Sequence, residues 1–293
     1  MDVNKYIYEY NKPLYYTYYD LCRNMNDVIY DYNNNTIKKY MDILLSQIQF
    51  LSNINIKKIC NNTNGIVNIL YIGSSKAYHF NILNELYKNL TNIQWYFYDI
   101  IDPCISVERL SYNIIFNRKL FTEDDIIDFK DKYPLILIYD YDDKSNVRDL
   151  LYHYNMQNNI IIYLNPTYSL LKFKYMPINK WNNSFNDYEY ISTGIKYLPT
   201  IKSLHTRNII DNKNIMTLTF DEIESENYYE KMNYYNNCSG YNDIYNNISG
   251  YILNKSNLYD NNNSAYNILK IYEKNIINTI NEDKIFRSKE KYI

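Results

Sequence analysis

Four short apolar runs, separated by stretches of helical period, constrain this chain more than any other feature. They read "IVNILYIG" (66–73), "IQWYFYD" (93–99), "LILIYD" (135–140) and "IIIYLNP" (160–166). Near-continuous apolar runs of this length suit strands covered on both faces, the condition of a parallel sheet. Between the first two runs lies "YHFNILNELYKNL" and between the last two "VRDLLYHYNMQ", both with apolar residues at helical spacing. The alternation predicts an α/β fold with a mainly parallel central sheet and helices on both faces.

The flanking segments extend this plan. Ile37, Met41, Leu44, Leu45, Ile48 and Leu51 recur at helical spacing and predict an amphipathic helix over 37–53. "DIIDFKDKYP" fits a helix leading into the third strand, and "NIIDNKNIMTLTF" (208–220) a turn into a strand that closes the sheet antiparallel. "AYNILKIYEKNIINTI" carries Ile268, Leu269, Ile271, Tyr272, Ile276 and Ile280 on an apolar stripe, and "FRSKEKYI" reads as a charged, frayed tail. These patterns divide the chain into an N-terminal arm (1–36), a main domain (37–253) and a C-terminal helix with its tail (254–293).

Composition bounds the function. Hydrophobic residues make up 46% of the chain, but 38 residues are Tyr, whose polar tip favours partial burial, so the aliphatic core is smaller than that figure suggests. Only 5 Gly occur, and Gly73 is followed by Ser74, Ser75, Lys76, Ala77 and Tyr78, with no second or third glycine of a cofactor loop. Net charge is −2, so any nucleic-acid contact is a local patch and not a property of the whole chain. Cys22, Cys60, Cys104 and Cys238 form no CxxC pair, which argues against a disulfide framework and a zinc site; no metal is expected. The opening "MDVNKYIYEYNKP" has no signal-peptide core and no run is long enough to span a bilayer, so a soluble intracellular protein is expected.

Several segments together resemble one family. They are "ILLSQIQFLS" (43–52), "YIGSSKAYH" (71–79), "WYFYDIIDP" (95–103), "LILIYD", "YNMQNNIIIYLNPTYSLLKFKYMPINKW" (154–181) and "NYYEKMNYYN" (227–236). Their order and spacing resemble the poxvirus poly(A) polymerase small subunit, which is also the cap-specific mRNA 2′-O-methyltransferase. The Asn-rich sequence looks like a divergent, insect-poxvirus type of member. The resemblance implies a Rossmann-like methyltransferase fold, S-adenosylmethionine as methyl donor, mRNA and a catalytic poly(A) polymerase subunit as partners, no membrane, and a place in the virion and host cytoplasm.

The resemblance also implies particular residues. Gly73 and the strand-end Asp99 match the donor site, with Asp140 beside them, but Ser75, Lys76 and Ala77 stand where the family has Ala-Pro-Gly. The expected basic residue two positions after Asp99 is Ile101. The family's Lys-Asp-Lys-Glu tetrad falls on Asp42, Asp140, Lys172 and the stretch "SLHTR" (203–207), in which His205 is the nearest match. Asp42 beside Lys172 would hold that amine in its charged form, the wrong state for a base. At the cap site Glu230 matches a base-reading carboxylate, Asn179 replaces a second acid, and Pro177 replaces the stacking aromatic, with Tyr175 two residues away. Lys38, Lys39, Lys57, Lys58, Lys172 and Lys174 could line one basic face for RNA backbone.

Plainer readings stand beside these. Asp at a strand end often caps the following helix, which would account for Asp99 and Asp140. Glu230 and the lysines would then be solvated surface charges, and His205 a loop histidine. The residues as a set predict a stimulatory, RNA-binding subunit of poly(A) polymerase with a degenerate methyltransferase site. An active methyltransferase using a shifted lysine is the alternative, and an assembly subunit that binds neither RNA nor donor is a third.

Overall fold

The structure is a computed structural model and describes residues 35–110, 113–141, 147–174, 183–197, 206–213, 215–222 and 265–290. A seven-stranded sheet forms the centre, in the order β3-β2-β1-β4-β5-β8-β7. Its strands are β1 (Val67–Ile72), β2 (Ile93–Tyr98), β3 (Ile114–Asn117), β4 (Leu135–Tyr139), β5 (Tyr168–Phe173), β7 (Ile195–Tyr197) and β8 (Thr206–Asp211). The first five in spatial order run parallel, and β8 and β7 are antiparallel to their neighbours. A small second sheet pairs β6 (Glu189–Ile191) with β9 (Thr217–Thr219).

Burial explains why the runs became strands. All six residues of β1 and all five of β4 are buried, as expected for central strands covered on both sides. Val67, Ile69, Tyr71, Ile136, Ile138, Leu170 and Ile209 share one core with helix α1 (Asn35–Asn53) and helix α3 (Phe80–Tyr87). Their neighbours Leu70, Ile72, Leu137, Tyr139, Leu171 and Ile210 face a second core built with Phe129, Met156, Ile160 and Ile161. The latter three lie on helix α5 (Val147–Leu164), so helices cover both faces. Between them in sequence lie the short helices α2 (Ile56–Asn62) and α4 (Ile105–Glu108).

Two expectations are corrected. The run 160–164 is not a strand but the last turn of α5, and the strand follows at Tyr168–Phe173. Ile160, Ile161 and Leu164 are buried while Ile162 and Tyr163 face out, which is helical spacing. Asn165 at φ 43 ends the helix in a left-handed residue, and Pro166 prevents its return. "DIIDFKDKYP" forms a 3-10 turn over Glu123–Phe129 and not a regular helix; a capping box between Thr122 and Asp125 starts it.

Several tyrosines are buried, and some of their hydroxyls find partners inside. Tyr71 and Tyr272 are fully buried. Tyr139 meets His153 Nδ1 at 2.7 Å, and Tyr154 reaches the carbonyl of Lys174. Helix α6 (Ala265–Glu290) extends into the segment read as a frayed tail and packs on α1 and α4. Tyr272, Ile276, Ile280 and Asp283 form its buried stripe. No helix among the described residues is long and apolar enough to cross a membrane.

Candidate functional site

The sheet order reverses between β1 and β4, and such a switch point opens a crevice beyond the carboxyl ends of the strands. Gly73 leaves β1 there with φ +82, and a Cβ on it would sit 2.5 Å from the N and Cα of Tyr141. Only glycine fits where the two strand exits touch. Ser75 (φ 53) and Ala77 (φ 51) are also left-handed, so the loop keeps a glycine-like path without glycine. That conformation costs a non-glycine residue roughly 1–2 kcal/mol, and fixed contacts hold it.

Those contacts are specific. The Ser75 amide donates to Asp99 Oδ2 at 2.7 Å, and the Ile101 amide donates to Asp99 Oδ1 at 2.8 Å. The Ser75 hydroxyl meets the Tyr40 hydroxyl at 3.2 Å, and the Cys104 amide donates to the Lys76 carbonyl. Lys76 turns its ammonium toward Asp283 of α6, 3.9 Å away. Asp283 is a buried hub: it accepts from the Tyr78 hydroxyl at 3.0 Å, the Ile105 amide at 3.1 Å and Arg287 Nε at 3.2 Å. Burial, reinforced by Asp283, pushes the Tyr78 phenol up. Arg287 also donates to the Pro103 carbonyl, so α6 is tied to the loops after both β1 and β2.

The fit to a methyl donor follows from this geometry. Asp99 stands beside the loop as the sequence implied, but each of its oxygens already accepts a backbone amide. A donor ribose would have to share it with Ser75 and Ile101. A cavity of about 350 Å³ opens near the carboxyl ends of β1 and β4, with Phe121, Tyr139, Tyr141, Asp149 and His153 among its walls. Neither Asp99 nor Asp140 lines it.

The second part of the site is a row of charges. Asp140 follows Ile138 by two residues, Lys172 follows Leu170 by two, and Arg207 precedes Ile209 by two. Strand alternation therefore points all three to the α1 side of the sheet. Lys172 lies directly opposite Arg207 in the β5–β8 register. Arg207 Nη2 lies 2.9 Å from Asp140 Oδ1, with side chains only 5% and 4% exposed. The pair is in ion-pair contact without hydrogen-bond alignment: that oxygen, and Arg207 Nε and Nη1, have no hydrogen-bond partner among the described residues.

Beside the row, Tyr71 is fully buried, and burial, then the Asp140 charge, pushes its phenol well up. Its hydroxyl is 3.4 Å from His79 Nε2, which lies 3.2 Å from Gln47 Oε1 of α1. Burial, with the nearby Lys39 charge, lowers the His79 pKa to about 3, so the ring is neutral at physiological pH.

The sequence-predicted residues distribute as follows. Gly73 and Asp99 meet at the loop, and Asp140 and Lys172 join the row. Asp42 is half-buried on α1, the helix that supplies Gln47. Lys38 and Lys39 are half-buried at the start of α1, Lys174 follows β5, and Lys57 and Lys58 are exposed on α2. Tyr175, His205 and Glu230 lie outside the described residues. Arg207 lies in the stretch where the resemblance implies the tetrad acid and was not among the expected residues, because a cation there answers to no part of the implied set. Its signal was an Arg at an inward position of the alternating strand "TRNIID". Asp283 was also missed; its signal was an acid continuing the stripe of Ile276 and Ile280, four residues before an Arg. No group of three or more metal-ligating His, Cys, Asp or Glu occurs among the described residues.

A mostly parallel sheet with a glycine turn at its switch point and an acidic residue ending the next strand defines a Rossmann-like fold of the methyltransferase kind. The chain belongs to the family described as Poly A polymerase regulatory subunit, whose model matches residues 9–293. No curated protein is similar enough to be matched with it. As a regulatory subunit it implies a catalytic poly(A) polymerase as partner.

Proposed function

We propose that the chain is an RNA-binding regulatory subunit that keeps its polymerase on mRNA during tail synthesis, with a methyltransferase site that no longer transfers methyl groups. The observation that carries this reading is the buried Arg207–Asp140 ion pair. Removing a proton from a ribose hydroxyl calls for an unprotonated lysine amine, tuned by its neighbours. Here Asp140, the carboxylate of the row, is held by the Arg207 guanidinium and is not left to position Lys172 or a ribose hydroxyl. The engagement of Asp99 by two amides supports weak or absent binding of S-adenosylmethionine.

The test has three arms. Transfer of labelled methyl to capped RNA at saturating donor should be undetectable, and tail elongation by the catalytic subunit should be stimulated by the chain. RNA affinity should fall steeply with added salt, since phosphate contacts dominate such binding. Robust methyl transfer that is lost in Lys172→Ala would establish the active-enzyme reading instead. Elongation that is the same with and without the chain would refute the regulatory role.

A further inference from the structure

We propose that Arg207 is a phosphate receptor: its guanidinium takes a phosphate oxyanion, supplied by the backbone of an RNA strand that reaches it past Lys172. The inference deepens the RNA-binding reading above and rests on it for the source of the phosphate. Guanidinium presents five N–H donors in a flat fork that matches two oxygens of a phosphate at once. One nitrogen of Arg207, Nη2, is in contact with Asp140. Nε and Nη1 are buried and have no acceptor among the described residues. Buried polar groups in native proteins are almost always satisfied, and a charged donor left unmade is the costliest exception.

Of the neighbouring acceptors, Asp140 Oδ1 is in ion-pair contact with Nη2 alone. The Tyr71 hydroxyl and Gln47 Oε1 both meet His79. A phosphate oxyanion would supply acceptors to both nitrogens and at the same time balance the guanidinium charge. Lys172 is half-buried and lies opposite Arg207, so it is the more exposed cation of the two. Its ammonium adds a second cation on the side from which an anion would approach. Lys174 continues that line beyond the end of β5.

The experiment compares the full chain with Arg207→Gln, Arg207→Lys and Lys213→Gln, each checked for native circular dichroism. Lys213 is an exposed lysine just beyond β8, outside the row, and controls for the loss of one positive charge. Two probes are used: oligo(A), by fluorescence anisotropy across a salt series, and inorganic phosphate against chloride at matched ionic strength, by thermal midpoint. Arg207→Gln should weaken oligo(A) binding roughly tenfold and reduce its salt slope by about one, the signature of a single lost phosphate contact. Arg207→Lys should fall between, because it keeps the charge and loses the fork; it carries the test if the Gln variant does not fold. Phosphate should raise the midpoint of the wild type and not of Arg207→Gln.

Folded Arg207 variants that bind oligo(A) with wild-type affinity and slope, together with no phosphate effect, would overturn the proposal. Arg207-dependent stabilisation by phosphate with unaltered oligo(A) binding would overturn the RNA source and leave a free-phosphate site. Tail elongation is read separately. Failure to stimulate the polymerase, with Arg207-dependent phosphate binding intact, counts against the regulatory reading and not against this site.

Discussion

Replacing Asp283 by Ala tests whether the C-terminal helix holds the loops after β1 and β2 in place. The carboxylate is 4% exposed and receives three donors. Truncation leaves the buried Tyr78 hydroxyl unpaired, at about 1–3 kcal/mol, and the partly buried Ile105 amide, at about 1 kcal/mol. Arg287 is 30% exposed and recovers water, so its share is below about 1 kcal/mol. The expected loss is therefore about 3 kcal/mol, read as a shift of the urea midpoint at unchanged m-value. Asp283→Asn keeps one carbonyl acceptor and should lose about half as much. Because the freed groups belong to the loops and to α6, limited proteolysis should cut α6 faster in the Ala variant. A loss under about 1 kcal/mol, with cleavage unchanged, would refute the view that Asp283 joins helix and loops.

Gly73→Ala should be among the most damaging single changes, because the added Cβ would sit 2.5 Å from Tyr141 backbone atoms at a left-handed φ; a loss of at least about 3 kcal/mol is expected by chemical denaturation, and a near-native midpoint would show that the two strand exits separate easily. His79 has a pKa of about 3 in the fold against about 6.5 when unfolded. The unfolded chain therefore binds the extra proton between those values, and stability is full above about pH 6.5 and falls as the pH drops toward 3. By pH 4.5 this residue should have cost about 2–3 kcal/mol, and His79→Phe should show a flatter profile; parallel profiles would contradict the burial of a neutral ring.

The parts of the fold that were legible in sequence are those with one dominant physical cause. β1, β2 and β4 were readable because strands buried on both faces must be apolar throughout. The run at 160–164 misled for the same reason, since a short apolar run has no period to tell strand from helix. The Asn165-Pro166 pair was the available stop signal. β3 was missed because it is a four-residue edge strand with Ile115 facing out. In the site, Gly73 and Asp99 were legible because backbone geometry selects them. Arg207 and Asp283 were not, because each is defined by a partner far away in sequence. Asp140 contacts Arg207 from another strand, and Tyr78 reaches Asp283 from the opposite end of the chain.

The charges of the row are balanced by residues other than the implied tetrad. The resemblance implies Lys where this chain has Asp42 and Glu where His205 is the nearest match, while Arg207 supplies the cation that meets Asp140. Buried charges are costly unless balanced, and removing one partner of a buried pair exposes the whole cost. Asp42 and Asp140 against Lys172 and Arg207 therefore give what folding needs if they share one cleft, a balance of charge. Paired substitutions test this. Arg207→Glu alone places a carboxylate against Asp140 where the guanidinium now sits 2.9 Å away, and should cost about 3–5 kcal/mol. Asp42→Lys alone acts on a half-buried site and should cost less. If the two positions share one cleft, the double variant recovers at least about 1 kcal/mol relative to the sum of the singles, as interacting charges do. Additive losses would show that Asp42 and Arg207 do not sense one another and that no single cleft balances their charges.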